Sequence, residues 1–274
     1  MSLADADSIV AVIRGIDHLV IACGDPNAAA AELEASLGLS CTGGGRHEGI
    51  GTLNRIAWLA DDSYLELIGV EDRDLALRHP VGAAVVATLD ATGGGLATYA
   101  LRDDGLEATV GGLQGAGSSI GPVQHGSRRR DDEELVEWWA AFPEGPLGPD
   151  APPFLIEHAL VGAEWGAAAR AARASFRHPI GSPVILARVD VASADPLGTA
   201  AAFHEQLGID MWAVADLAVA DVGAHVIRLV PRREMAFPAV LTVGADIDTP
   251  RTMELLGVRF DVERVALPVP SLAD

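Results

Sequence analysis

The sequence contains no lysine, and all 19 of its basic residues are arginine. Without a lysine amine, the chain cannot form a Schiff base with a carbonyl substrate or use lysine as a general base. The 39 acidic residues outnumber the arginines and give a formal net charge of −20 at pH 7. This charge argues against nucleic acid and against an anionic membrane as partners, because both bind to concentrated positive charge.

Cysteine is also scarce, since Cys23 and Cys41 are the only two and form no CxxC motif. Such usage is typical of a reducing compartment. No apolar run reaches the length of a membrane-spanning helix, and residues 1–14 lack the basic start and long apolar centre of a signal peptide. We therefore expect a cytoplasmic protein. With 49% hydrophobic and 21% charged residues, its 274 residues can bury one large core or two modest ones.

A unit of secondary structure recurs along the chain. It is clearest at Gly15–Leu39, where a predicted strand leads to an Asp-Pro helix start and a helix that ends at glycine. Val184–Ile209 repeats this plan with the same spacing between the proline and the terminating glycine. Gly95–Gly117 is a weaker copy, and Ala239–Val262 is a partial fourth with a short helix expected after Asp-Thr-Pro. Equal spacing with the same start and stop residues indicates duplicated units.

Further strands are predicted after each helix, so each unit reads as βαβββ. In the first unit, Thr52–Ala60 and Tyr64–Val70 flank an Asp-Asp-Ser turn. Because one unit buries only one sheet face, we expect an α+β fold of paired βαβββ modules that form cupped mixed sheets, about three and a half modules in all. The expected organisation is an N-terminal extension (1–13), a domain of two paired modules (14–180) and a C-terminal module with a partial fourth (181–274).

Glu66 lies in the middle of an apolar predicted strand, YLELIGV. Burial of an unpaired carboxylate costs several kcal/mol, so it needs a partner, a metal ion or a proton. Alternation places Tyr64 and Ile68 on the same face as Glu66, which is not an obvious solvent face. His18 also lies in an apolar strand. Taken alone, Glu66 could face solvent and His18 could be a hydrogen-bonded core residue.

Together these segments resemble the vicinal oxygen chelate superfamily, in particular its glyoxalase-like domain branch. The resemblance rests on IDHLVIACGDPNAAAAELEASLGL and GRHEGIGTLNRIAWLADDSYLELIGV, and more loosely on SRRRDDEELVEWWAAF and PPFLIEHAL. It covers residues 14–178 and extends to the remainder only through the recurring unit. Where the branch usually has a Pro-Asp-Gly turn, this chain has Asp131-Asp132-Glu133. The resemblance implies a divalent-metal site whose ligands come from the first and last strands of each module.

Carried over position by position, the resemblance implies His18, Glu66 and Glu157 as metal ligands. The strand FLIEH can present either Glu157 or His158 to the interior, but not both. The fourth ligand position falls near residues 97–99, where no side chain suits a metal. One imidazole and two carboxylates suit Zn, Mn, Fe, Ni or Co, and they leave positions open for a substrate that chelates through two oxygens.

His47 and Glu66 are the predicted acid–base residues, since an imidazole is suited to proton transfer near neutral pH. His47 could instead be a substitute ligand, as could His125, and either could be a histidine of a solvent-facing loop. The candidate substrate-binding residues are Asn54, Tyr99 and Arg129.

Arginines occupy two other positions of interest. The run Arg128–Arg130 suggests an anion site, but the acidic residues that follow it favour a solvated turn. Arg188 and Arg228 of the third unit fall where His18 and Glu66 fall in the first. Because arginine does not bind metal, the C-terminal unit is expected to be a structural half or to hold an anionic group.

The sequence thus predicts a metal-dependent enzyme of the isomerase, lyase or dioxygenase kind that acts on a small oxygen-bearing metabolite. A homodimer is possible, and neither nucleic acid nor membrane is expected as a partner. The alternative function is a binding protein that sequesters a small molecule in a metal-free cavity, as some members of the superfamily do. A non-catalytic scaffold is the third hypothesis.

Overall fold

The computed structural model describes residues 13–47 and 49–266. The strands in these ranges are β1 (Ile13–Ala22), β2 (Gly43–His47), β3 (Thr52–Trp58), β4 (Tyr64–Val70), β5 (Gly95–Asp103), β6 (Gln124–Arg130), β7 (Leu135–Ala141), β8 (Phe154–His158), β9 (Val184–Ser193), β10 (Trp212–Val214), β11 (Leu217–Val222), β12 (His225–Pro231), β13 (Ala239–Ala245), β14 (Arg251–Leu255) and β15 (Val258–Arg264). The helices are α1 (Pro26–Leu37), α2 (Arg73–Ala76), α3 (Pro80–Thr92), α4 (Leu106–Gly115), α5 (Gly162–Trp165), α6 (Ala167–Ala174) and α7 (Pro196–Leu207). None of these helices combines the length and the apolar character that crossing a membrane requires.

The two long helices that carry the Asp-Pro start form as the sequence predicts. Asp25 accepts hydrogen bonds from the backbone N–H groups of residues 27 and 28, and Gly38 ends α1 in the left-handed conformation with φ 75°. In α7, Asp195 caps the helix and Gly208 ends it with φ 65°. The chemistry of the helix ends was therefore readable from the residues alone.

The first two βαβββ units close into an eight-stranded barrel with the order β1-β4-β3-β2-β6-β7-β8-β5. In each unit the first strand pairs in parallel with the last. The units join along a long antiparallel pairing of β1 with β5 and a short pairing of β2 with β6. The predicted α+β fold of paired modules is confirmed, and the two cupped sheets are hydrogen-bonded at both edges.

The side chains of the barrel form two separate apolar regions. The outer face packs with α1, α7 and the C-terminal sheet in one large cluster that includes Leu19, Leu33, Leu65, Phe203 and Phe260. Inside the barrel, two smaller clusters are centred on Phe154 and Ile156 and on Trp58 and Trp165. Strands β1, β4 and β5 are buried on both faces, and most of their residues are apolar.

The C-terminal strands form an open seven-stranded sheet with the order β10-β11-β12-β9-β13-β15-β14. Here β9 pairs in parallel with β12 and antiparallel with β13, as β1 does with β4 and β5. The short helix expected in the fourth unit was wrong, because Arg251–Leu255 is a strand. Leu256 and Gly257 have φ 52° and 71°, which makes a two-residue hairpin turn that pairs β14 with β15. With three strands in its last unit, this sheet does not close.

Candidate active site

Glu66 occupies the centre of a cavity inside the barrel, where it is 6% exposed. Its Oε2 lies 3.6 Å from Nε2 of His18 on β1, and its Oε1 lies 3.8 Å from Nε2 of His47 on β2. Asn54 on β3 donates from Nδ2 to Oε1 of Glu66 at 2.6 Å. The structure thus brings four predicted site residues together, one from each strand of the first unit.

The other ring nitrogen of each imidazole is held by a neighbouring group. Nδ1 of His18 lies 2.7 Å from Oδ1 of Asp17, and Nδ1 of His47 lies 2.9 Å from the hydroxyl of Thr52. Asp17 has no exposed surface. Burial favours its protonated form, but His158 and Arg102 outweigh this effect and hold the pKa of Asp17 well below its ordinary value.

This network fixes how His18 faces the cavity. An ionised Asp17 carboxylate only accepts hydrogen bonds, so Nδ1 of His18 must donate, and in the neutral ring Nε2 presents a lone pair toward Glu66. Burial lowers the pKa of His47 to about 4, although Glu66 opposes the shift, so this imidazole is neutral at pH 7. Nε2 of the neutral His47 ring accepts when Nδ1 donates to the Thr52 hydroxyl, and in that tautomer the centre of the cavity favours a cation, a proton or a ligand that donates.

The donor types fit a divalent transition metal, since imidazole nitrogens and a carboxylate are its common ligands. Fixing a ligating imidazole through a carboxylate on its far nitrogen, as Asp17 does for His18, is typical of metal sites. Among residues 13–47 and 49–266, however, no three His, Cys, Asp or Glu side chains are already arranged to hold an ion. Tetrahedral ligand atoms at bonds of about 2.1 Å lie about 3.4 Å apart. The separations of 3.6 and 3.8 Å around Glu66 exceed this by a few tenths of an ångström.

Three further polar atoms on the cavity wall have no hydrogen-bond partner among residues 13–47 and 49–266: Oδ1 of Asn54, Nδ1 of His79 and Nδ1 of His158. Each such buried atom costs about 1–3 kcal/mol when it is left unsatisfied, so a polar ligand or water is expected beside them. Burial lowers the pKa of both histidines, with Asp17 opposing the shift at His158 and Glu66 opposing it at His79. His79 was not identified from the sequence, because its His-Pro pair reads only as a helix start within a connector.

Apart from Thr52, Tyr64 and the ion pair of Arg128 with Glu164, the rest of the wall is apolar and limits what can enter. It includes Ile50, Ile56, Ile68, Val81, Trp138 and Phe142. The cavity volume, counted as the space that the centres of water molecules can occupy, is about 60 Å³. At roughly 10–15 Å³ for each sphere, this is room for a handful of waters or a small organic group.

Helix α5, which belongs to neither module, contributes two more side chains to the wall. Trp165 is 1% exposed and stacks on His158 with ring centroids 3.8 Å apart. Glu164 accepts hydrogen bonds from Nη2 of Arg128 at 2.5 Å and from Nη1 of Arg130 at 3.1 Å. Both residues lie in a connector without strand or repeat signals. The residue type alone indicates core or pocket wall for Trp165, but no pattern points to Glu164.

Glu157 does not reach the cavity, which corrects the expectation that it is the third ligand. Its Oε2 accepts a hydrogen bond from the backbone N–H of Leu106 at the start of α4. His158, the next residue, takes the interior position that alternation allows to only one of the two.

Two predicted substrate-binding residues and one alternative ligand also lie elsewhere. Tyr99 is fully buried in the cluster on the outer face of the barrel, where burial raises the pKa of its hydroxyl. Arg129 points away from the cavity and pairs with Glu133 at 3.8 Å, because the neighbouring Arg128 takes the inward position. His125 is half exposed and lies 2.9 Å from Glu137.

The sequence model of the Glyoxalase-like domain family matches residues 16–207 of this chain. A search of curated proteins found no match. A hypothetical protein from Staphylococcus aureus has a similar solved structure, with TM-score 0.73 and 15% identity over 91% of this chain and 99% of that one. Methylmalonyl-CoA epimerase from Mycobacterium tuberculosis gives TM-score 0.41 and 17% identity over 54% of this chain and 89% of that one. Methylmalonyl-CoA epimerase from Streptomyces coelicolor gives TM-score 0.39 and 21% identity over 53% of this chain and 96% of that one. The likeness to the Staphylococcus aureus protein is one of fold.

Proposed function

The chain belongs to the glyoxalase-like domain family of the vicinal oxygen chelate superfamily, and from its cavity we propose a divalent-metal-dependent enzyme that acts on a small oxygen-bearing metabolite. One observation carries the proposal. The carboxylate of Glu66 lies between Nε2 of His18 and Nε2 of His47, while the Nδ1 atoms of both rings are held by other groups. With Nδ1 of both rings donating, the two Nε2 atoms and Glu66 would face one another as acceptors, and a cation is the simplest species that would satisfy all three.

In this proposal His18, His47 and Glu66 hold the metal. His47 takes the place expected for Glu157, as the sequence allowed for a substitute ligand. The bound metal would act as a Lewis acid on substrate oxygens. Asp17 keeps the ring of His18 oriented, and the hydrogen bond from Asn54 fixes one oxygen of Glu66. Both contacts restrict the rotation of the ligands before anything binds.

The protein side chains also determine how substrate is bound and where a proton can go. The apolar wall excludes water from a small ligand, which strengthens each polar contact inside. Nδ1 of His79 has no hydrogen-bond partner in the described part of the chain, and burial lowers the pKa of its ring, so the ring is neutral at pH 7. It can therefore accept a proton from a bound substrate and return it. His47, the acid–base residue expected from the sequence, is better placed as a ligand because its Nε2 faces Glu66.

Metal analysis of the purified, untagged chain tests the proposal. Mass spectrometry after incubation with Zn, Mn, Fe, Ni or Co should find one ion per chain. His18→Ala and Glu66→Gln should each lose most of it. Glu157→Gln and His125→Ala are matched controls, since the structure places both side chains outside the cavity, and they should bind metal like the wild type. Equal metal content in all five proteins would contradict the proposal. Light scattering on the same samples tests whether the chain forms a homodimer.

A metal-free binding protein is the second candidate function. It is favoured by the separations of 3.6 and 3.8 Å between Glu66 and the two imidazoles, which exceed the spacing of atoms that bind the same metal ion. In that case small molecules should raise the melting temperature without added metal and without being converted. His18→Ala would then weaken the effect of the molecule but leave metal content at the background level.

A further inference from the structure

Arg188 and Arg228 lie in the C-terminal sheet at the register positions that His18 and Glu66 hold in the barrel. On β1 the residue paired with Glu66 stands two positions after His18. On β9 the residue paired with Arg228 is Asp190, which stands two positions after Arg188. The third unit therefore keeps the geometry of the first, with arginines in place of the imidazole and the carboxylate.

This part of the sheet is open to solvent. Because β10 and β14 do not pair with each other, the face that corresponds to the barrel interior is not enclosed. A hollow of about 210 Å³ lies on this face. Four of its residues form one row across adjacent strands, in the order Arg228, Asp190, Val240 and Arg259.

The row places the two guanidinium groups on either side of Asp190 and Val240. Three strand spacings separate the Cα atoms of Arg228 and Arg259 by about 14 Å, so both side chains can reach over Val240. Met235 and Phe237 add an apolar wall. The hollow thus combines cationic groups with a surface that suits a hydrocarbon part of a ligand.

Each arginine is held by its Nε atom. Nε of Arg259 donates to Asp261 at 2.9 Å, and Nε of Arg228 lies 3.4 Å from Asp190. The terminal nitrogens of these two arginines donate no hydrogen bond to any residue in the described part of the chain. Anchored guanidinium groups with free terminal N–H groups are suited to bind a carboxylate or phosphate through two parallel hydrogen bonds.

We propose that this hollow binds a small molecule that carries one carboxylate or phosphate group beside an apolar part. Asp190 and Asp261 balance the charge of the two arginines and hold the guanidinium groups in place. Glu234, the third acidic residue of the hollow, pairs with Arg233 at 3.3 Å, so the free terminal N–H groups and not an excess of positive charge are what the hollow offers an anion. The site therefore favours a single anionic group over a polyanion. This proposal does not depend on the function of the barrel.

Equilibrium binding of inorganic phosphate and of benzoate tests it, by calorimetry and by thermal shift. The hollow variant is Arg228→Gln with Arg259→Gln. Its control is Arg78→Gln with Arg264→Gln, which removes the same charge from two exposed arginines that make no side-chain hydrogen bond to another described residue. Wild type and control should bind at least one probe saturably, and the hollow variant should bind it at least tenfold more weakly. Preference for benzoate indicates a carboxylate ligand, and preference for phosphate indicates a phosphorylated one.

Two results would overturn the proposal: no saturable binding of either anion, or equal affinity of the hollow variant and the control. His18→Ala should bind both probes as the wild type does, and a loss of binding there would place the anion in the barrel instead. If the double variant does not fold, Arg259→Gln alone serves, since that side chain is 40% exposed.

Discussion

Replacing Asp17 with asparagine tests how the cavity is built. The carboxylate of Asp17 is fully buried and lies 2.7 Å from Nδ1 of His18, 3.0 Å from Nε2 of His158 and 2.8 Å from Nε of Arg102. An amide can accept from one or two of these groups but carries no charge. The substitution would therefore leave the guanidinium of Arg102, whose side chain is 16% exposed, without its counter-ion.

The expected loss follows from breaking a buried ion pair by removal of one partner. That loss is about 3–5 kcal/mol, and we expect Asp17→Asn near the lower end because some hydrogen bonds survive. Urea unfolding at pH 7 measures it. Asp104→Asn is the matched control, since Asp104 is 47% exposed and pairs with the exposed Arg14. It should change the free energy of unfolding by no more than about 0.5 kcal/mol.

The pH dependence of the same measurement checks the cause. Because the folded state holds the pKa of Asp17 below its reference value of 3.8, the carboxylate contributes its stability fully above that value. The contribution is lost as pH falls below 3.8 toward the folded pKa. The difference in stability between wild type and Asp17→Asn should therefore shrink at pH 3. If the barrel holds a metal, Asp17→Asn should also weaken metal affinity by about 10–100-fold. A variant within 1 kcal/mol of wild type at pH 7, with unchanged metal affinity, would refute the reasoning.

Three other predictions concern stability. Gly257→Ala should destabilise the folded protein by about 1–3 kcal/mol, because φ at this position is 71° and a Cβ would lie 2.5 Å from a backbone oxygen. The control is Gly111→Ala in helix α4, where a Cβ would meet no described atom within 4 Å. In thermal melts the control should be neutral or stabilising. Trp165→Ala should cost about 3–5 kcal/mol in urea unfolding, while Trp212→Ala, 48% exposed, should cost little. Burial lowers the pKa of His178, which accepts from Ser40 and bonds to a backbone oxygen. The contribution of His178 to the free energy of unfolding is therefore complete above pH 6.5 and is lost as pH falls below it. Between pH 7.5 and 5.5 the free energy of unfolding should fall less in His178→Gln than in the wild type.

The sequence predicted the centre of the site because His18 and Glu66 stand out as polar residues within apolar strands. It could not settle which residue of FLIEH faces inward. Strand β8 packs against apolar side chains on both faces, so Phe154 and Leu155 look alike from the sequence. The same ambiguity affects Tyr99, whose strand is buried on both sides. Hydrophobic alternation shows which face of a strand is buried only where the other face is exposed to solvent.

Other features depend on contacts far apart in the chain. The Asp-Thr-Pro sequence of the fourth unit resembles the starts of α1 and α7, but the turn at Leu256-Gly257 pairs the segment with β15 instead. Glu164 and Trp165 reach the cavity because α5 folds back over the barrel, held in part by the contact of Glu164 with Arg128. No local sequence pattern predicts that this helix packs back against the barrel.

The two halves of the molecule show how closure of a sheet limits the residues it can carry. Closing a barrel over Arg188 and Arg228 would bury two guanidinium groups, at a cost of several kcal/mol for each ion. In the open sheet these side chains remain 28% and 34% exposed, and water continues to solvate them. The N-terminal barrel encloses the same register positions, and there it has His18, which can be neutral, and Glu66, which accepts from Asn54. Charged arginines at these positions are therefore compatible with the open C-terminal sheet, whereas the closed barrel requires side chains that its own network can satisfy.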